Sequence, residues 1–117
     1  MIGYKPSLPE LEPEMLSAIV QRIVAVNAPE AIVLFGSRAH GMHRPESDID
    51  LIVVRDSKEP SYKRAVPIYA ALSDLPIEVD MDVLVYTPEE IDEWRGASAA
   101  FITTALRQGR RIYERQP

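Results

Sequence analysis

Two aspartates, Asp48 and Asp50, stand two positions apart at the start of the apolar run "SDIDLIVV", residues 47–54. Successive side chains of a β-strand point to opposite faces, so both carboxylates should share one face and the apolar residues the other. Two carboxylates held this close repel each other, at roughly 4 kcal/mol for a separation of about 4 Å and an effective dielectric constant of about 20. A divalent cation reverses the sign of that energy. The spacing therefore predicts a cation site.

A second pair, Asp80 and Asp82, begins the similar run "DMDVLVY", residues 80–86. If the two strands are neighbours, facing Cβ atoms lie about 4.5–5.5 Å apart, so one of these carboxylates can join Asp48 and Asp50. Ligation by oxygen atoms alone suits Mg²⁺ or Mn²⁺, held by a few carboxylates and by substrate phosphates. One or two such ions activate a hydroxyl nucleophile and stabilise a leaving phosphate. The pattern predicts phosphoryl or nucleotidyl transfer.

A glycine-serine turn precedes the first aspartate pair, in "GSRAHGMH", residues 36–43. Gly36 permits a sharp turn and close approach of a ligand, and Ser37 with the following amides can donate to phosphate oxygens. Arg38 can add a charge-assisted contact. The segment is not a P-loop, because Met42 and His43 stand where lysine and serine or threonine would be required.

Composition excludes several alternatives. The chain has no cysteine, which excludes disulfides, thiolate metal sites and cysteine nucleophiles, and it leaves oxygen ligands or His40 and His43. The two histidines are expected in a surface loop. A net charge of −5 argues against a general nucleic-acid surface. With no run of roughly 18 apolar residues and no secretory signal in the first 15 residues, we expect a cytoplasmic protein that does not contact membranes.

Hydrophobic periodicity predicts the elements that position these residues. In chain order they are a helix over about 14–27, strands over 31–35 and 48–54, a helix over 62–72 that Pro67 begins or kinks, a strand over 77–86, a short helix through Trp94, and a helix over about 98–109 ended by Gly109. Thr87, Pro88 and Glu90 form a capping-box pattern. Tyr62, Tyr69 and Trp94, at helical spacings, are expected to be packing residues. The order predicts a single α/β (α+β) domain, a small mixed sheet covered by helices, with a catalytic core over about 31–95.

The segment "GSRAHGMHRPESDIDL", residues 36–51, resembles the signature of the nucleotidyltransferases related to DNA polymerase beta. The length resembles their minimal nucleotidyltransferase (MNT) members, and "MDVLVYTPEEI", residues 81–91, is similar to the segment with the family's third aspartate. The resemblance implies the nucleotidyltransferase fold, with Asp48, Asp50 and Asp82 as catalytic and metal-binding residues. It implies that Gly36, Ser37, Arg38 and Ser47 bind ATP. Asp80 is expected to be an ordinary surface residue, although its contribution stays open.

The resemblance also implies an acceptor and a partner. Similar MNT proteins are antitoxins of HEPN ribonuclease toxins, which they neutralise by binding and by adding AMP to a tyrosine. We therefore expect a Mg²⁺- and ATP-dependent protein adenylyltransferase (AMPylation) with a HEPN-type toxin as partner, in a homo-oligomer or hetero-oligomer. Two alternatives stay open: a binding protein that neutralises a partner by steric masking, and a nucleotidyltransferase acting on a small molecule of the aminoglycoside type.

Overall fold

The computed structural model describes residues 13–42, 44, 46–97 and 100–117. Its helices and strands, in chain order, are α1 (Pro13–Asn27), β1 (Ala31–Phe35), β2 (Ile49–Val54), α2 (Ser61–Arg64), α3 (Val66–Leu72), β3 (Met81–Tyr86), α4 (Pro88–Trp94), α5 (Phe101–Gln108) and β4 (Arg110–Glu114). A 3₁₀ turn over Ser37–His40 follows β1. The beginning of the predicted helix over 98–109 includes residues 98 and 99, which lie outside the described residues.

The four strands form one mixed sheet in the order β3-β2-β1-β4. Strand β2 pairs antiparallel with β1 and parallel with β3, and β4 pairs antiparallel with the other edge of β1. The predicted mixed α/β sheet covered by helices is confirmed. Because β2 is central and parallel to β3, the beginnings of these two strands meet at one end of the sheet.

Helices cover both faces of the sheet. On one face, Ile49, Leu51 and Val53 of β2 pack against Ile19 and Ile23 of α1, together with residues of α3. All five side chains are fully buried. Burying a side chain of this size contributes about 1.5–3 kcal/mol, so this face supplies most of the core stabilisation. The i, i+4 spacing of Ile19 and Ile23 explains why the segment forms a helix with one apolar side.

A smaller apolar cluster lies on the other face. Val33 of β1 and Ile52 of β2 pack against Ile102 and Ala105 of α5, with residues of β3 and α4 partly buried at its edge. Asp50, between Leu51 and Ile49, therefore points to the α5 side, as the strand periodicity predicts.

Three predicted features need correction. The third strand begins at Met81 and not at residue 77, because 77–80 reach the core without pairing as a strand. The segment after α5 forms a fourth strand that the apolar pattern did not predict. Tyr62, Tyr69 and Trp94 are not interior residues, since 76%, 41% and 49% of their surfaces are exposed.

Other local predictions are confirmed. A break at Ala65 divides the predicted helix over 62–72 into α2 and α3, and Pro67 stands in the first turn of α3, at the beginning of that helix. Thr87 caps α4 through a complete capping box, in which its hydroxyl accepts the N–H of Glu90 and the Glu90 carboxylate accepts the N–H of Thr87. Within the described residues, no helix is long and apolar enough to cross a bilayer.

Candidate metal and nucleotide site

Strand pairing brings the predicted aspartates together. Asp50 of β2 lies directly opposite Asp82 of β3, and Asp48 comes just before β2. One carboxylate oxygen from each of the three lies within 4.8 Å of the others. Asp48 and Asp82 are exposed and Asp50 is half-buried, so the cluster opens to solvent on one side.

The electrostatics of the cluster favour a cation. Partial burial raises the pKa of Asp50, and the charges of Asp82 and Asp48 raise it further, while Arg38 opposes the rise. The charged form of Asp50 is thus disfavoured in the bare protein, and a divalent ion between the carboxylates would remove that penalty. Three carboxylate oxygens within 4.8 Å of one another form the kind of donor set that Mg²⁺ takes, with room for water or phosphate. The residues present therefore fit a magnesium ion.

The glycine-serine turn lies against this cluster. Gly36 has φ 76° and ψ −160°, a combination that is essentially restricted to glycine. A Cβ atom at this position would lie 2.5 Å from Oδ2 of Asp50, so the glycine also makes room for that carboxylate. The exposed Ser37 follows and begins the 3₁₀ turn, which a bond from the N–H of Met42 to the carbonyl of Ser37 helps to close. Ser37 is therefore beside the aspartates and accessible, as a phosphate-binding residue must be.

Arg38 is buried, with 6% of its surface exposed. Its Nε and terminal nitrogen donate to the carbonyl oxygen of Ser47 at 3.1 and 2.8 Å, and Nε also donates to that of Asp48 at 3.2 Å. These bonds tie the 3₁₀ turn to the segment that carries Asp48. Contact of Arg38 with the triphosphate stays a prediction, and what the structure adds is this bridging role.

Ser47 closes a turn just before the first aspartate. Its hydroxyl oxygen accepts the N–H of Arg44 at 2.9 Å, and its own N–H donates to the carbonyl of Arg44 at 3.0 Å. The predicted ATP contact of Ser47 is untested. In the structure, Ser47 stabilises the turn after Arg44, and its carbonyl oxygen accepts the hydrogen bonds of Arg38.

Tyr69 of α3 contacts the outer edge of β3 on both sides of Asp82. Its hydroxyl accepts the N–H of Val83 at 2.8 Å and donates, at a longer 3.4 Å, to the carbonyl of Met81. Since β3 is an edge strand of the described sheet, these backbone groups meet no neighbouring strand within the part of the chain that the structure describes. Helical spacing does not predict this contact, because it indicates which side of a helix is apolar but not which group a tyrosine hydroxyl bonds.

The other candidate ligands lie outside the cluster. Among the described residues, the side chains close enough together to hold a metal ion are those of Asp48, Asp50 and Asp82. Asp80 and His40 do not belong to this cluster. Asp80 is exposed, and its carbonyl accepts the N–H of Ile49, which continues the pairing of β2 with β3 beyond the end of the strand. His43 lies outside the described residues.

Comparison with known proteins agrees with this geometry. The family model "Polymerase beta, Nucleotidyltransferase" matches residues 18–117. The chain belongs to this nucleotidyltransferase family. A crystal structure of a candidate nucleotidyltransferase from Sulfolobus solfataricus superposes with a TM-score of 0.59 at 20% sequence identity, covering 87% of this chain and 79% of that one. At that identity the likeness concerns the fold. No curated protein matches the chain significantly.

Two segments of this nucleotidyltransferase therefore meet at one end of the sheet. The aspartate cluster lies where β2 and β3 begin, and the Gly36–Ser37 turn lies directly beside it. The family match covers nucleotidyltransferases in general and does not extend to an MNT antitoxin identity.

Proposed function

We propose that this nucleotidyltransferase transfers AMP from ATP to a hydroxyl group of a partner protein, and that it acts as the antitoxin of a HEPN-type toxin. The observation that carries the enzymatic part is the convergence of Asp48, Asp50 and Asp82 within 4.8 Å beside the Gly36–Ser37 turn. The family supports nucleotidyl transfer in general. The proposal of a HEPN-type partner rests on the resemblance to MNT proteins.

Asp48, Asp50 and Asp82 would hold Mg²⁺. When bound, the metal supplies charge neutralisation at the phosphates and Lewis-acid activation of the reacting oxygens. Ser37 and the amides of the turn bind and orient the triphosphate. In the proposed reaction the acceptor oxygen forms a bond to the α-phosphorus, the bond from that phosphorus to the bridging oxygen breaks, and pyrophosphate leaves.

Asp82 is the aspartate best placed for the acceptor. It is exposed, and it stands on the edge strand, whereas Asp50 is half-buried beside Gly36. We assign to the carboxylate of Asp82 the proton that the acceptor hydroxyl loses as it attacks. Asp48 and Asp50 then act chiefly as ligands.

The test uses ATP labelled in the α-phosphate, Mg²⁺, and the product of any gene adjacent to this one. Asp82→Asn should abolish transfer of label, because it removes a charge from the cluster. Asp80→Asn is the matched control: it makes the same chemical change two residues away, outside the cluster, and should keep activity within about twofold of the unchanged protein, as surface substitutions do.

The outcomes separate the alternatives. Neutralisation that survives Asp48→Ala combined with Asp50→Ala, with no label on the partner, would favour steric masking. Label on an added aminoglycoside in place of protein would favour a small-molecule acceptor. Absence of heat on titration of Mg²⁺ and ATP into the protein would contradict nucleotide binding itself.

A further inference from the structure

A half-exposed aromatic ring lies next to the aspartate site, on the side of β1. Phe35, the last residue of β1, stands directly opposite Asp50 in the pairing of β1 with β2. Its side chain packs on the α5 face of the sheet, which is also the face of Asp50. The ring of Phe101, the first residue of α5, contacts the ring of Phe35, with the two centroids 5.5 Å apart. Phe35 thus connects the ring of Phe101 to the aspartates.

The position of Phe101 in α5 leaves its ring open to solvent. Ile102 and Ala105 form the core side of this helix and are 3% and 8% exposed. Phe101 precedes Ile102, so it points about 100° away from it around the helix axis, and 53% of its surface is exposed. The planes of the two phenylalanine rings are inclined by 78°, so they meet edge to face, and Phe35 covers at most one face of Phe101. The ring of Phe101 can therefore accept a second flat partner.

The strand order places this ring on the nucleotide side of the site. Phe35, Asp50 and Asp82 form one row across β1, β2 and β3, so Phe35 and Asp82 lie on opposite sides of Asp50. The acceptor hydroxyl is proposed to lie at Asp82, at the far end of this row. The triphosphate is proposed to bind the Gly36–Ser37 turn, which directly follows Phe35 in the chain. A ligand for Phe101 is thus more consistent with the nucleotide than with the acceptor.

We propose that Phe101 stacks on the nucleobase of the bound nucleotide, with Phe35 holding its ring in place. The inference rests on the proposed function, because it takes the triphosphate to lie at the Gly36–Ser37 turn. Every nucleobase has a π face, so an aromatic side chain stabilises a bound base without reading its hydrogen-bonding groups. The stack therefore supplies affinity for the nucleoside part of the substrate and discriminates little between ATP and GTP.

Calorimetric binding of two ligands, each with Mg²⁺, tests the stack. One ligand is a nucleotide, ATP or GTP, and the other is inorganic tripolyphosphate, which has the phosphates but neither base nor sugar. Phe101→Ala should weaken binding of ATP about 5- to 30-fold, within the range that a stacked base loses on alanine substitution. The loss for GTP should equal that for ATP within about twofold. Binding of tripolyphosphate should not change, because it depends on the turn and the aspartates alone.

Further variants separate loss of the ring from loss of structure. Phe101→Leu keeps an apolar side chain against Phe35 but has no aromatic face, so it should show the same selective loss of nucleotide even if Phe101→Ala folds poorly. Phe101→Trp keeps an aromatic face and should bind ATP within about threefold of the unchanged protein. Tyr62→Ala is the matched control: it removes an exposed aromatic ring from α2 and should change the binding of neither ligand.

The two ligands also keep this inference distinct from the proposed function. If Phe101→Ala and Phe101→Leu bind ATP as tightly as the unchanged protein does, the stack is overturned while the metal and triphosphate site stands. An equal loss of ATP and tripolyphosphate in both variants would overturn it as well, because the ring would then support the turn instead of the base. Failure of the unchanged protein to bind either ligand would overturn the proposed function together with the stack.

Discussion

Gly36→Ala tests whether the backbone turn and the aspartate cluster depend on each other. The backbone of Gly36 lies in a region almost closed to other residues, which alone should cost about 1–3 kcal/mol of unfolding free energy. The new methyl group would also lie 2.5 Å from Oδ2 of Asp50. To reach an ordinary contact of 3.4 Å, the carboxylate and the turn must separate by 3.4 − 2.5, or roughly 0.9 Å.

A shift of that size matters for the metal more than for the fold. Metal–ligand distances are restricted to about ±0.2 Å, and disturbing a group that supports a ligand typically weakens metal binding about 10- to 100-fold. We therefore expect the Mg²⁺ affinity of Gly36→Ala to fall by about that factor. Calorimetric titration with Mg²⁺ measures it, and urea unfolding measures the loss of stability separately.

Gly41→Ala is the matched control. Gly41 also has a positive φ, of 70°, but a Cβ atom there would meet nothing within 4 Å. It should lose about 1–2 kcal/mol of stability through backbone strain while its Mg²⁺ affinity stays within about twofold. If the two variants lose metal affinity equally, or if Gly36→Ala binds Mg²⁺ normally, the contact between Gly36 and Asp50 does not shape the site.

Three other predictions concern Asp50, the contact of Tyr69 with β3, and the cap of α4. The raised pKa of Asp50 means that, above the ordinary carboxyl pKa and up to the raised one, the folded metal-free protein binds more protons than the unfolded chain, so its stability should fall as pH rises through that window. Asp50→Asn should flatten this slope in urea unfolding measured from about pH 4 to pH 8. Tyr69→Phe should cost about 0.5–1.5 kcal/mol and weaken Mg²⁺ binding in calorimetry, with the exposed Tyr62→Phe as an unchanged control. Thr87→Ala should cost about 0.5–2 kcal/mol in thermal or urea unfolding without altering metal affinity, while Thr87→Ser should restore most of the loss.

Periodicity predicted the interior of this protein better than its margins. Central β2 is buried on one face by large apolar residues, so its pattern is strong. Strand β4 is an edge strand with charged residues at Arg110, Arg111 and Glu114, and only Ile112 and Tyr113 pack against the core. Edge strands commonly carry charged side chains, so a pattern of alternating apolar residues does not predict them. Residues 77–80 show the converse, since Ile77 and Val79 pack on the core without forming a strand.

The aspartate cluster was predictable because its geometry follows from a period of two and from one strand pairing. The supporting contacts were not, because they join segments whose approach depends on the whole fold. Arg38 bonds to carbonyls nine and ten residues away. Tyr69 of α3 bonds to the backbone of Met81 and Val83 on β3. In each of these bonds the partner is a backbone group, which does not depend on the identity of the side chain.

The bridge made by Arg38 has a consequence for metal exchange. Loops that depend on an ion for their shape collapse when it leaves, and rebinding then requires the loop to refold. Here the guanidinium of Arg38 holds the segment before β2 through hydrogen bonds to the backbone carbonyls of Ser47 and Asp48. These bonds do not require a bound ion. A Mg²⁺ ion that binds the aspartates should therefore meet a preformed site, and its rate of binding should be limited by diffusion and by the ion's loss of water, not by refolding of the loop.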